Sequence, residues 1–461
     1  MSLARCPLCF LEVPATELVA ARSVDRETLR LVAGNAPGWR ASQGLCDTCL
    51  LRFKAAREAL RRERPQAVLG ALPILPTGLR LGATAEQRGR GVTIAFLDAG
   101  FFAHPDLVGK KDRILRYVDV RNPKARRADL DRPDESSWHG MMTSTVACGD
   151  GALSGGFYRG LASEARLVLV KVGHAQRIVH DDIRRGLDWV IRHRRQYAIR
   201  IVNVSCGGDY EASYLTDRLS QSVERATREG LVVCCAVGNH GHLPGHPVLP
   251  PGSAPAAVTV GGLDDQNGLA FASFRMYHSS YGPTLDGLQK PELIAPSIFI
   301  AAPVLPGTPT AARQALLARL AQAPDRELRG LIDESPGVDP DLDLSHGLPM
   351  QALRAAVRRR LKDDNVVSAH YKHVDGTSFA APIVASVMAQ MLEANARLTP
   401  REVKRILMDT ARRIPGAPVE RQGWGAVDPK AAVEEALRRR NPQKSADVIP
   451  FERVNRRSPI A

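Results

Sequence analysis

Four residue types spread along this chain could carry one reaction between them. Asp98 ends an apolar run in FLDAG, His139 opens WHGMMTSTVA, Asn239 follows an apolar run in AVGN, and Ser378 starts a long helical pattern in DGTSFAAP. Taken singly, a strand-end aspartate reads as a cap or turn residue and a lone histidine as a structural one. Brought to one edge of one sheet, an acid, an imidazole, an amide and a helix-start serine are the parts of acyl transfer. A serine hydroxyl is a weak nucleophile at neutral pH, so it needs an adjacent base to take its proton.

A second set of residues points to a metal. Cys6, Cys9, Cys46 and Cys49 form two C-x2-C pairs, and two intervening residues let both sulfurs of a turn face one ion, the arrangement of a tetrahedral structural zinc site. The long spacer between the pairs holds a helical pattern at Ser23–Ala33, and Cys49 runs into another at Leu50–Arg64. Zn2+ would staple two helices too small to bury a core of their own. A redox pair needs only one such motif, and unconnected thiols need no motif. The other cysteines, Cys148, Cys206, Cys234 and Cys235, sit in apolar contexts and read as small buried hydrophobes.

The elements that must position the first set begin at Gly91. Apolar, β-branched runs at Val92–Leu97, Ala165–Val172, Arg200–Ser205, Leu231–Val237 and Ala256–Val260 alternate with helical patterns such as Asp181–Arg194 and Tyr214–Glu229. Continuous apolar strands between helices predict an α/β unit, a parallel sheet covered on both faces, whose ligands bind where the strands end. Prolines and glycines between residues 66 and 90 read as a linker. The chain of 461 residues is 44% hydrophobic, too apolar to be disordered, and no run approaches the roughly 20 residues of a membrane span. The N-terminal MSLARCPLCFLEVP has no uninterrupted apolar core of the kind a signal peptide uses, so a cytoplasmic protein is expected. The formal charge of +14 is carried by arginines interleaved with acids rather than by a stripe, which argues against nucleic acid as partner. Residues 438–461 read as a basic, solvated tail.

With these residues in view, the chain resembles the subtilisin-like serine proteases, the subtilases. The order Asp, His, Ser is the one that subtilisin itself uses. Asp98-Ala99-Gly100, His139-Gly140 and Gly376-Thr377-Ser378-Phe379-Ala380-Ala381-Pro382 resemble the three catalytic blocks, and GLASEARLVLVKV, NVSCGG, VVCCAVGN, AVTVGG and SSYGPTLDGLQKPELIAP fall between them in the family's order. The resemblance covers about 91–437 and implies a three-layer parallel-sheet peptidase domain. It implies Asp98, His139 and Ser378 as the triad, and the Asn239 amide with the Ser378 backbone N–H as the oxyanion donors. It further implies Ser205, Cys206, Gly207 and Gly208 as the strand that pairs with an extended peptide substrate, and Ala236, Val237 and Gly238 as the wall of the pocket before the scissile bond. Calcium is compatible with the family, but no ligands are assigned.

The departures from the family pattern are expected to tune activity rather than abolish it. Ala99 stands where a hydroxyl residue is usual, removing a support for the aspartate, and Met141 and Met142 are expected to reshape the surroundings of the imidazole. The four-cysteine module, 1–65, stands where secreted members carry a prodomain; recruiting a partner and gating the site are the roles considered for it. The stretch 303–365 reads as an insertion with helices at Ala311–Gln322 and Met350–Leu361 joined by ESPGVDPDLDLSHG. There Asp339, Asp341 and Asp343 read as a solvated acidic loop, since the glycine and final glutamate of a calcium loop are missing. Two other readings stand beside the peptidase: a catalytically silent subtilase fold that binds proteins, and a zinc-module nucleic-acid binder, which lacks interleaved aromatics.

Overall fold

The computed structural model describes residues 2–63, 74–174 and 177–440. Eight strands form the central sheet: β1 (Thr93–Asp98), β2 (Ile114–Asp119), β3 (Arg166–Lys171), β4 (Ile199–Val204), β5 (Val232–Ala236), β6 (Val258–Asp264), β7 (Arg275–Met276) and β8 (Leu293–Pro296). Their order is β7-β6-β5-β4-β1-β3-β2, with β8 also on β6, and every pairing except β6 with β7 is parallel.

The continuous apolar runs become strands because both faces of the sheet are covered. Along β1, Ile94 and Phe96 enter one core while Ala95 and Leu97 enter the other; Val232 and Cys234 part from Val233 and Cys235 in the same way along β5. This is the two-residue alternation of a strand with water on neither side. One layer contains the helices Ser137–Cys148 and Thr377–Ala394, and the other the helices His180–His193 and Arg218–Arg228. The sequence pattern does not mark β2, because it is an edge strand whose Leu115 and Arg116 face solvent and break the apolar run.

Two regions are appended to this unit. The first packs the helices Arg26–Asn35 and Asp47–Glu63 around the four cysteines, sharing its core with Leu269 and Ala270 of the loop after β6. The Leu8 carbonyl accepts from Ala272 N–H (3.1 Å) and the Cys9 carbonyl from Arg412 (2.6 Å), so the first cysteine turn is docked on the large unit. Of the stretch read as a linker, 66–90, residues up to 73 lie outside the described residues. From Ile74 onward it is packed structure, with Ile74, Leu75 and Arg80 buried and a short helix at Thr77–Leu81. The described part of the tail, to Arg440, ends the helix Pro429–Arg440; the rest of 438–461 lies outside the described residues.

The second appendage is the insertion, which forms a small helical core from Pro309–Gln322, Leu328–Asp333, Pro340–Ser345 and Met350–Asp363. Here the expected solvated loop is corrected in part. Asp339 is 1% exposed, caps the helix Pro340–Ser345 and pairs with Arg360 at 2.9 Å, whereas Asp341 stays largely in water. A capped helix with a paired charge is what makes burying Asp339 tolerable.

Candidate active site

A parallel sheet delivers all its strand ends to one edge, and β5, β4 and β1 are neighbours there. The edge therefore receives Asp98 from the end of β1, Ser205 just after β4 and Asn239 shortly after β5. The histidine comes from the first turn of the helix Ser137–Cys148, and the serine from the first turn of Thr377–Ala394. Gly140 lets the histidine helix reach β1: a Cβ there would stand 2.1 Å from the Gly100 carbonyl oxygen and 2.9 Å from the Asp98 Cβ.

Asp98 is wholly buried, and its carboxylate is held by three donors. Oδ1 accepts from the Ala99 N–H (2.7 Å) and from His139 Nδ1 (2.6 Å), and Oδ2 accepts from the Thr143 hydroxyl (2.9 Å). Thr143 lies one turn beyond His139, on the same helix face. It supplies a hydroxyl support, which Ala99 cannot. The imidazole is 21% exposed. Burial disfavours its charged form, but the Asp98 charge and hydrogen bond outweigh that, so the His139 pKa is raised above the ordinary 6.5. With Nδ1 donating to the carboxylate, Nε2 is left as the proton acceptor.

Around Ser378 the helix start is tied to the sheet edge. Gly376, at φ +133°, makes the turn into the helix. Pro382 lacks the N–H that would bond the Ser378 carbonyl in a regular helix, and that carbonyl accepts from the Ser205 hydroxyl instead, at 2.8 Å. The Asn203 amide in turn donates to the Ser205 hydroxyl at 2.9 Å. The Ser378 hydroxyl itself donates to the Ser205 carbonyl, 3.1 Å away. The His139 ring lies beside Phe379, the next residue, with centroids 5.9 Å apart. The orientation of Asn239 is set by two donors on its Oδ1, the Thr377 N–H (2.9 Å) and hydroxyl (3.0 Å). Its NH2 is therefore turned away from those groups, and among the described residues no hydrogen bond engages it.

The sequence profile of the Subtilase family matches residues 89–425. The chain belongs to the subtilase family. It is 32% identical over 357 residues to serine protease AprX of Bacillus subtilis (strain 168), which covers 75% of this chain and 66% of AprX. It is 27% identical over 176 residues to the major intracellular serine protease of the same organism, covering 36% of this chain and 50% of that protein. The chain thus spans about two thirds and half of the lengths of these relatives. The fold is similar to a solved structure titled proteases from Pseudoalteromonas arctica PAMC 21717, with a TM-score of 0.52 and 21% identity, covering 78% of this chain and 93% of that one.

The remaining expected residues of this subtilase lie on the same edge. Gly208 N–H donates to the Pro250 carbonyl (2.6 Å), while among the described residues no backbone hydrogen bond engages Gly207; the expected strand ends at Val204, and residues 205–208 continue from it as an irregular segment beside the serine. Cys206, read as a buried hydrophobe, is only partly covered there. Val237 N–H is bonded to Val260 (3.1 Å) and Gly238 N–H to the Thr377 hydroxyl (3.2 Å), which fixes the segment from Ala236 to Asn239. The expectation for Met141 and Met142 is corrected. Both are buried in the core at 0% and 4% exposure, because the histidine helix turns them toward the sheet, and the imidazole is flanked instead by half-exposed Trp138, edge-on at 5.1 Å. Thr143, Asn203 and Thr377 are functional neighbours that the sequence reading does not single out. For Thr143 the i+4 spacing from His139 is the available signal.

The four cysteines converge. Their sulfurs all lie within 4.8 Å of one another, with Cys6 to Cys49 at 3.8 Å and Cys9 to Cys46 at 3.7 Å. A disulfide would be near 2.05 Å. A tetrahedron with metal–sulfur bonds of about 2.3 Å has sulfur–sulfur edges of about 3.8 Å, so the donor set fits zinc. The Cys46 N–H donates to Cys6 Sγ (3.5 Å), and hydrogen bonding with Cys49 draws the Cys46 thiol down to about 7.

Proposed function

We propose that this subtilase is a serine endopeptidase acting through an acyl-enzyme. The observation that carries the reading is the buried Asp98 carboxylate, bonded at 2.6 Å to His139 on the edge that also holds Ser378 and Asn239. His139 Nε2 takes the Ser378 proton as the hydroxyl attacks the peptide carbonyl, and returns it to the departing amine. Asp98 fixes the tautomer and stabilises the imidazolium. The oxyanion is received by the Asn239 NH2 and the Ser378 N–H at a helix N-terminus, where the dipole also favours negative charge. The substrate would lie extended along Ser205, Cys206, Gly207 and Gly208, its residue before the scissile bond against Ala236-Val237-Gly238.

For the module, Cys6, Cys9, Cys46 and Cys49 would hold a structural Zn2+. That ion would supply the cohesion that so small a core lacks. Among the described residues no helix is long and apolar enough to cross a membrane.

The test is cleavage of an unfolded polypeptide with the products read by mass spectrometry. Wild type is expected to cut internal bonds and Ser378→Ala is not. A folded wild type that binds the polypeptide without cutting it would favour the silent, protein-binding fold.

A further inference from the structure

Arg80 is the bulkiest fully buried side chain among the described residues, and acyl transfer at Ser378 makes no direct use of it. It lies in the short helix Thr77–Leu81, outside the family match that begins at residue 89. An arginine with 0% exposure beside an equally buried Asp265 is costly to desolvate, so its partners must be well placed. Nε and Nη2 grip the Asp265 carboxylate at 2.8 and 2.6 Å. The remaining reach of the fork goes to backbone: Nη2 donates to the Ile298 carbonyl (2.9 Å) and Nη1 to the Phe299 carbonyl (2.6 Å).

These two carbonyls belong to the turn that holds the serine loop. Ser297 C=O accepts from the Gly376 N–H at 2.7 Å, and the Phe299 N–H donates to the Asp375 carboxylate at 3.1 Å. Asp375 and Gly376 immediately precede Thr377 and Ser378. Phe299 has φ +57°, a left-handed conformation that a bulky residue keeps only when its surroundings impose it. Here the guanidinium fixes its carbonyl from one side and Asp375 its N–H from the other. The segment carrying Arg80 is in turn tied to the cysteine module, since Arg52, three residues after Cys49, donates to the Leu79 carbonyl at 3.1 Å.

We propose that Arg80 is a positioning residue for the nucleophile: through the Ile298–Phe299 turn it fixes the Asp375-Gly376 entry to the serine helix, making the segment before the family match part of the catalytic unit. The inference rests on Ser378 being the nucleophile. No reactant touches Arg80; it acts through the turn.

Arg80→Lys keeps the charge beside Asp265 but cannot serve two carbonyls as well, and Arg80→Gln is the second variant should the first fail to fold. Both are compared with Val168→Ala, a change in the sheet core far from the turn, at temperatures where each protein is folded by near-ultraviolet circular dichroism. The expected result is a kcat about ten- to a hundredfold lower with KM within about twofold, since small misplacements of a reacting group cost that much. Amide exchange in a peptide covering 372–381 is expected to speed up in the Arg80 variants and not in Val168→Ala. An Arg80 variant that folds with wild-type kcat and wild-type exchange in that peptide overturns the proposal, as does a loss of kcat that merely tracks the melting temperature in all the variants. Exchange is read without turnover, so the clamp is judged even if Ser378→Ala proves as active as wild type, which would overturn the nucleophile assignment separately.

Discussion

The catalytic unit and the cysteine module hold their reactive groups in place by opposite means. Asp98 is fixed by a sheet with apolar cores on both faces, and the thiols of the module lie in a single smaller core that also takes in Leu269 and Ala270. In the first region burial is abundant and the polar groups can be specialised for chemistry. In the second a metal held by the thiols would add to what a smaller core provides. Changes in the sheet-edge residues should therefore remove activity while the fold remains, and changes in the cysteines should loosen the fold while the chemistry largely remains.

The largest expected effect is on the catalytic side. Asp98→Asn leaves the packing intact but lets the imidazole adopt the wrong tautomer, and kcat should fall about 10⁴-fold, as it does for the equivalent change in trypsin, with an unchanged melting temperature. Next comes Asn239→Ala, which would remove one of the proposed oxyanion donors. In subtilisin, whose measured value is carried over here, that loss costs about 10²- to 10³-fold in kcat. If either variant proved inactive because it was unfolded, the contrast between the two regions would fail.

A smaller effect sharpens the comparison within the catalytic unit. Thr143→Val removes the hydroxyl from Asp98 Oδ2 and should lower kcat about tenfold, with Thr143→Ser close to wild type. It should also move the pH profile. In the proposed mechanism the base is the neutral imidazole, whose pKa is raised above 6.5, so kcat/KM should be lost as pH falls through that raised value. Without the Thr143 donor the Asp98 charge is less shared and holds the imidazolium more tightly, so the acid limb should shift further upward.

The smallest effect on turnover is expected from the module. Stripping metal with a chelator, or Cys49→Ser, should lower the melting temperature and open residues 2–63 to added protease, while activity below the melting temperature changes by no more than about threefold. A module that stays protected without metal would mean that its small core suffices.

Legibility in the sequence divides along the same line between local pattern and distant contact. The continuous apolar strands are legible because burial on both faces leaves a simple pattern, and Asp98, Ser205 and Asn239 are placed by their positions at or just beyond the ends of those runs. The cysteine pairs are legible because ligand spacing is local. Features that depend on contacts distant in sequence are not. Arg80 sits among prolines and glycines and looks solvated, until the turn at Ile298 and Phe299 folds over it. Asp339 looks like one of several loop acids, until Arg360 arrives from the next helix. Met141 misleads because two positions beyond His139 on a helix is a different side, and Met142 because nearness in sequence does not show that its side chain is packed into the core.

The central claim is that His139 and Asp98 activate Ser378. Labelling with a fluorophosphonate, with the adduct located by peptide mapping, tests it most directly. A single adduct on Ser378 is predicted, formed at a rate that rises with pH along the His139 titration, absent in Ser378→Ala and slowed by orders of magnitude in Asp98→Asn. A folded wild type that takes up no label, or takes it up on another residue, would contradict it.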